Sequence, residues 1–379
     1  MTSKVLIEPL RALWRRHQLP ATVTPRETRL AFAGLVGDAR MKGMLLSMAP
    51  VLDMIDLVAG AVSIRMTQGP TATISVDRLD TIRPVFHGDV VRVEGQVINI
   101  GQSSMTVQCS GYRLDLDSGQ YQESHSALLT MVAVDGLGRS LKGLPKLVDE
   151  KNPEYIQQIE VFTKKRRDFV TRRKSELEEV DKLSFVSLND LQVEEGKTTF
   201  VPVKSTELEF CQWYQPKNLN VANVVFGGDV LSWMESAAVS CARKLTKNEH
   251  VFLRSTNQVL FQRPVSPLDV VTLRARVCHV RQSELDVEIE VYVTSIVKPT
   301  RSKSHSGFFT LVSLSNNHDY DTRKDIPTGL EVNEQDQDEM KLLLKAQKRW
   351  LLDREDREVL RLEPLDISHG QDTLMTSRL

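Results

Sequence analysis

The sequence is poor in cysteine, and what it has is not paired. Cys109, Cys211, Cys241 and Cys278 are scattered along 379 residues with no C-x-x-C spacing. That excludes an ordinary zinc ribbon or disulfide framework and suits a reducing compartment. The eight histidines include no H-E-x-x-H or similar ligand pattern, so neither a metal nor another cofactor is expected. A formal charge of −1 gives no global attraction to nucleic acid or to acidic membranes. No apolar run approaches the roughly 20 residues needed to span a bilayer. What is there is 41% apolar and 26% charged, an ordinary globular composition in a chain long enough for about two domains.

The opening stretch, MTSKVLIEPLRALWRRHQLP, is less plain. On a helix, Leu6, Leu10, Leu13, Trp14 and His17 share one face, and Lys4, Arg11 and Arg15 the other, with Glu8 the only acid. That resembles a mitochondrial transit peptide, although it is poor in serine. The alternative is a short docking helix of the mature fold, with cytoplasmic residence as the alternative location.

The rest of the chain repeats itself, which decides how it must be read. IRPVFHGDVV (Ile82–Val91) parallels QRPVSPLDVV (Gln262–Val271), and SHSALLTMV (Ser124–Val132) parallels SHSGFFTLV (Ser304–Val312). Both share an offset of 180, as 263 − 83 and 305 − 125 show. In the second copy Leu285, Val287, Ile289, Val291 and Val293 alternate with polar residues, the period of a strand with one buried face. Further strands are expected at 206–212, 254–261, 271–277 and 304–314. Between the first two lies a helix whose Val230, Leu231, Met234, Ala237, Ala238, Cys241 and Leu245 form one apolar stripe. The first copy matches, with a helix near Pro50–Arg65 and strands near 71–79, 89–100, 104–115 and 121–134. The fold class is α+β: two units, each a long central helix wrapped by a curved antiparallel sheet. The divisions are 1–24 for targeting, 25–140 and 200–316 for the two units, 141–199 for a helical linker, and 317–379 for a C-terminal helix and polar tail. The basic runs KKRR (164–167) and KAQKRW (345–350) read as solvated helix faces.

The run from Asn220 through FGGDVLSWME, together with the duplication, resembles the two-domain hot-dog acyl-CoA thioesterases over most of residues 25–350. VLDMIDLVAGAVSIR (Val51–Arg65) resembles the corresponding helix, in which the resemblance makes Asp56 the catalytic acid. It also implies hydrolysis of acyl-CoA to free acid and CoA, in homotrimers of two-domain subunits. Fused copies of a hot-dog dimer would set the two helices antiparallel, the start of each near the early turns of the other. Gly227 and Gly228 would then let a thioester carbonyl approach unpaired amides at a positive helix end. Asn220, at the family's amide position, would orient water. Aligning Phe226-Gly227-Gly228-Asp229 with Ser47-Met48-Ala49-Pro50 puts Asp56 and Glu235 in register, each nine residues on. The first copy has Met41 in place of Asn220, no glycine pair, and a proline where Asp229 would offer an N–H.

One composite site is therefore expected. Asp56 would be its base or nucleophile, Asn220 would position water, and the amide of Gly228, with that of Asp229, would polarise the carbonyl. Glu235, the second acid, faces the defunct half as a relic. The repeated Ser-His-Ser motifs are read as structural. The rival reading is a hot-dog scaffold that binds acyl groups or partners without catalysis. The targeting expectation is tested by deleting residues 1–20 from a fluorescent fusion. Mitochondrial signal should disappear; unchanged signal rules the transit peptide out.

Overall fold

The computed structural model describes residues 19–135, 138–192, 196–220, 223–297, 300–359, 362–367 and 373–375. Most of the basic N-terminal segment, residues 1–18, lies outside these, and so does the transit-peptide expectation. The first half runs β1 (Leu30–Leu35), α1 (Ala49–Thr67), β2 (Thr71–Thr81), β3 (Val90–Ile100), β4 (Ser104–Leu114) and β5 (Tyr121–Ala133). After α2 (Pro153–Lys182), the second half repeats the order. It comprises β6 (Leu208–Gln212), α3 (Gly227–Thr246), β7 (Val251–Phe261), β8 (Asp269–Arg281), β9 (Glu284–Ser295) and β10 (Arg301–Ser313). Then come α4 (Gln337–Val359) and β11 (Thr373–Met375).

These eleven strands form one sheet, in the order β11-β1-β3-β4-β5-β2-β7-β10-β9-β8-β6. From the central β2–β7 seam outward, each half presents its strands in the same sequence, so the sheet has a pseudo-two-fold axis at the seam. The register there is its own mirror image. Val76 pairs with Val259 and Leu79 with Thr256, and the repeat offset of 180 exchanges the two pairs. The tandem hot-dog architecture follows: two copies of one unit joined edge to edge into a continuous sheet.

One face of the sheet wraps the two helices. Every residue of the α3 stripe is buried, and α1 buries Val51, Leu52, Ile55, Val58, Ala59 and Val62 against the same core. Both helices end alike, on left-handed residues Gln68 (φ 50°) and Lys247 (φ 51°). One boundary differs from expectation. Residues 203–206 form a helical turn, and the Thr206 hydroxyl accepts the Val277 N–H at 3.0 Å, so β6 starts two residues late.

The opposite face carries α2 and α4, and corrects two readings. Within KKRR, Lys164, Lys165 and Arg167 are exposed but Arg166 is buried, its Nη1 2.6 Å from Asp356 Oδ2. Arg173, 2% exposed, lies 3.5 Å from Asp353. Burial raises the Asp353 carboxyl to about 7, against the pull of Arg173. In KAQKRW, Arg349 is buried with its guanidinium over the Phe308 ring. These cations lie inside a helix–sheet interface with Ile98, Leu128, Ile159, Phe162, Phe169 and Leu352. Nor is the C-terminal stretch simply a polar tail. Leu365 is buried with its N–H on the Ser110 hydroxyl at 3.0 Å, and β11 pairs in parallel with β1.

Removing one partner of a buried ion pair leaves the other charge uncompensated. Asp356→Ala should therefore lower unfolding free energy by about 3–5 kcal/mol, read from urea denaturation. A change within about 0.5 kcal/mol, the usual range for surface sites, would show that the pair is solvated.

Candidate active site

The start of α3 is held by the other half of the chain. Phe226, its N-cap, is extended (φ −64°, ψ 139°) and supplies no side-chain cap. The Val230 N–H, on the Phe226 carbonyl at 3.3 Å, begins the helical ladder. The preceding amides need partners from outside the helix, and the Gly228 N–H donates to Asp56 Oδ2 at 2.8 Å. Asp56, in the second turn of α1, is 1% exposed. Its other oxygen, Oδ1, accepts the Thr73 hydroxyl at 2.7 Å from the first strand after the helix. One carboxylate is thus fixed by two donors from different halves.

Its electrostatics are set mainly by burial, which pushes the Asp56 carboxyl up to about 6. The bonds from Thr73 and Gly228 pull the other way, and the charge of Asp229 adds to the rise. A carboxyl near neutrality, anchored but charged at pH 7, is what general-base chemistry needs. Cys109 lies close by, with its thiol 3.9 Å from the Ile55 carbonyl. Burial and the Asp56 charge hold that thiol protonated, so it is no nucleophile.

The glycine pair is explained by what touches it. A Cβ on Gly227 would lie 2.8 Å from Asp56 Oδ2. One on Gly228 would lie 2.5 Å from Asp53 Oδ1 and 3.1 Å from the Asp53 backbone. A side chain at 227 would push on the Asp56 carboxylate and one at 228 on the α1 backbone itself, so α1 comes close to this helix start. The Gly228 amide, expected to face a thioester carbonyl, is engaged by Asp56.

The mirror-image contact also exists. Glu235 Oε1 accepts the Met48 N–H at the start of α1 at 3.3 Å, and the Ser232 hydroxyl reaches the Ala49 carbonyl at 3.3 Å. With Asp56 meeting Gly228 and Glu235 meeting Met48, the helices run antiparallel. Glu235 is 2% exposed and is raised to about 7 by burial, opposed by the Met48 amide and Arg243.

Asn220 is placed by its own turn. Its N–H donates to the Val224 carbonyl at 2.9 Å, and its carbonyl accepts the Asn223 N–H at 2.9 Å. Its side-chain oxygen accepts the Val224 N–H at 3.4 Å. The loop is tied to the helix start by the Phe226 N–H on the Asn218 carbonyl at 2.8 Å. Contact joins Asp56 to Gly227 and Gly228, and the bonds described above hold the Asn220 turn ahead of the same helix start. Asp229 is half-buried in the first turn of α3. Sequence reasoning missed Thr73 and Asp53; a threonine opening the strand after an acid-bearing helix was the available signal. In the Ser-His-Ser motifs, the Ser124 and Ser304 carbonyls each accept two loop N–H groups. His125 and His305 are buried and pushed down to about 3.

The comparison with known sequences meets this geometry where it matters. The thioesterase superfamily matches residues 49–119 and 222–299, two segments that each begin at or just before one of the paired helices. Each half of the chain is thus similar to the thioesterase superfamily over its central helix and the strands that follow. Mouse acyl-coenzyme A thioesterase 11 is 26% identical over 276 residues, 71% of this chain and 44% of that protein. Human mitochondrial acyl-coenzyme A thioesterase 9 is 21% identical over 285 residues, 66% of this chain and 60% of its own length. The match therefore spans about half of each relative. Among solved structures, an acyl-CoA hydrolase from Staphylococcus aureus is 19% identical with a TM-score of 0.36, covering 42% of this chain and 99% of that one.

A raised carboxylate makes stability depend on pH. Asp56 goes from an ordinary value near 3.8 to about 6 in the fold. The stability it contributes is complete below the ordinary value and lost as pH rises through about 6. Asp56→Asn should thus be more stable than wild type at pH 8, by up to about 3 kcal/mol, with the difference vanishing near pH 4. Urea titrations at both pH values read this, and equal stability at pH 8 would contradict a buried charge.

Proposed function

We propose that the chain is an acyl-CoA thioesterase, hydrolysing acyl-CoA to free acid and CoA at one composite site between its halves. The observation that carries this reading is the buried Asp56 carboxylate anchored on the Gly228 amide of the opposite helix. Thioester hydrolysis needs an activated water or a carboxylate nucleophile. It needs no strong general acid, because a thiolate with a pKa of about 8.5 leaves readily. Asp56 serves as base or nucleophile, held by Thr73. Asn220 orients the water from its turn.

The Gly228 amide has two claims on it. A thioester carbonyl arriving at the α3 start competes with Asp56 Oδ2 for that N–H, and the flanking amides of Gly227 and Asp229 share the positive helix end. Transfer of the amide from carboxylate to developing oxyanion would release Asp56 to take a proton or attack. The first half has no equivalent pair of glycines, which is why one site per chain is proposed. The relatives' names support the substrate class. The same reading extends to the 25–140 and 200–316 domain limits, a homotrimer of two-domain chains and mitochondrial residence.

A thiol-release assay with acetyl-, hexanoyl- and palmitoyl-CoA tests the reaction. Wild type should turn over at least one of them, with kcat at least about 100-fold lower in Asp56→Asn and in Asn220→Ala. No turnover by folded wild-type protein favours the scaffold reading. Full activity in Asp56→Asn moves the site elsewhere.

A further inference from the structure

We propose that Glu235 is a positioning residue for the composite site, a clamp rather than a relic. The inference rests on the thioesterase reading for its kinetic consequence, but its structural basis is independent of that reading. Asp56 and Glu235 occupy equivalent places on antiparallel helices, and each accepts a backbone N–H from the start of the other: Gly228 at 2.8 Å and Met48 at 3.3 Å. Both carboxyls are essentially out of solvent. A buried carboxylate with no function would be replaced at little loss by a neutral side chain, because burying it is costly. Here it caps a helix that has no side-chain cap of its own. Met48 makes no capping bond through its side chain, and Pro50 follows within the first turn.

The consequence is geometric. The α1 start is held by Glu235 and the nearby Ser232–Ala49 bond, and the α3 start by Asp56. The two contacts fix the slide of one helix along the other, and that slide sets how deeply Asp56 reaches Gly228. If Glu235 releases Met48, α1 gains freedom along its axis, the Gly228 bond to Asp56 loosens, and the carboxylate loses a donor that favours its charged form. The charged and titratable groups that bear on the pair are Asp229, Cys109 and the neighbouring Asp53 at Asp56, and Arg243 at Glu235. Neither Asp53 nor Asp229 is altered by the substitutions below.

Three variants separate a clamp from a space-filler. Glu235→Gln keeps an acceptor at the same reach, Glu235→Asp keeps the charge one methylene short, and Glu235→Ala removes both. A clamp predicts that Asp and Ala lower kcat about tenfold, as for a small misplacement of a reacting group. KM should stay unchanged and the acidic limb of the pH–rate profile should move to higher pH, with Gln restoring most of both. Hydrogen exchange of the Met48 amide in the same variants reads the clamp without any turnover. It should be protected in wild type and Gln and exposed in Asp and Ala. If Ala fails to fold, the Gln–Asp pair decides. Equal kcat, limb and Met48 protection in Gln and Asp overturns the proposal. Inactive wild type with the expected exchange pattern would defeat the thioesterase reading and leave the clamp standing.

Discussion

Two helices packed start-to-flank, closely enough for a side-chain carboxylate to cap its neighbour's backbone, govern the rest of this structure. That packing needs a sheet wide enough to wrap both helices, which the β2–β7 seam provides by joining two five-stranded units without an edge between them. It needs small residues at the contact, which Gly227 and Gly228 supply against Asp56 and Asp53. It also needs a buried acid, which is stable as an anion only because it has donors. The amide of Gly228 and the hydroxyl of Thr73 are those donors. Sheet, glycines and acid are thus parts of one arrangement.

Duplication made the arrangement asymmetric without breaking it. Both acids remain buried and both bond the opposite helix start. The first-half start lacks the glycine pair, carries Pro50, and sets Met41 where the second has Asn220. No hydroxyl equivalent to Thr73 serves Glu235 by the same register, since the corresponding positions hold Phe252 and Leu253. One contact combines a glycine pair with two donors to its acid, and the other is a helix cap.

How much of this was legible depends on how local the cause is. The repeat, the α3 stripe and the strand alternation are written in neighbouring residues, and the elements appear within a few positions of where periodicity puts them. The pairing of Asp56 with the α3 start was legible only through the resemblance, because it depends on a helix crossing set by both halves. Thr73 was hidden because β2 is bulged directly after it and again after Val76, so simple alternation does not say which face it serves. The outer helices show a different failure. Ile159, Phe162, Arg166, Phe169 and Arg173 recur at spacings of three and four, a packing stripe with arginines in two core positions. Charge made it look like a solvated face, while the partners that neutralise it, Asp353 and Asp356, lie on a helix about 190 residues away.

The most direct test of the composite arrangement is the titration of the Asp56 carboxyl by ¹³C NMR, in wild type and in Gly227→Ala. A methyl at 227 would intrude on Asp56 Oδ2 and lengthen its bond to the Gly228 amide, although the substitution lies in the other half of the chain. If the helices meet as described, the carboxyl should titrate near 6 in wild type and at a clearly higher pH in the variant. An Asp56 that titrates at an ordinary carboxylate value, or identically in both proteins, would mean that the two helix starts do not share a site.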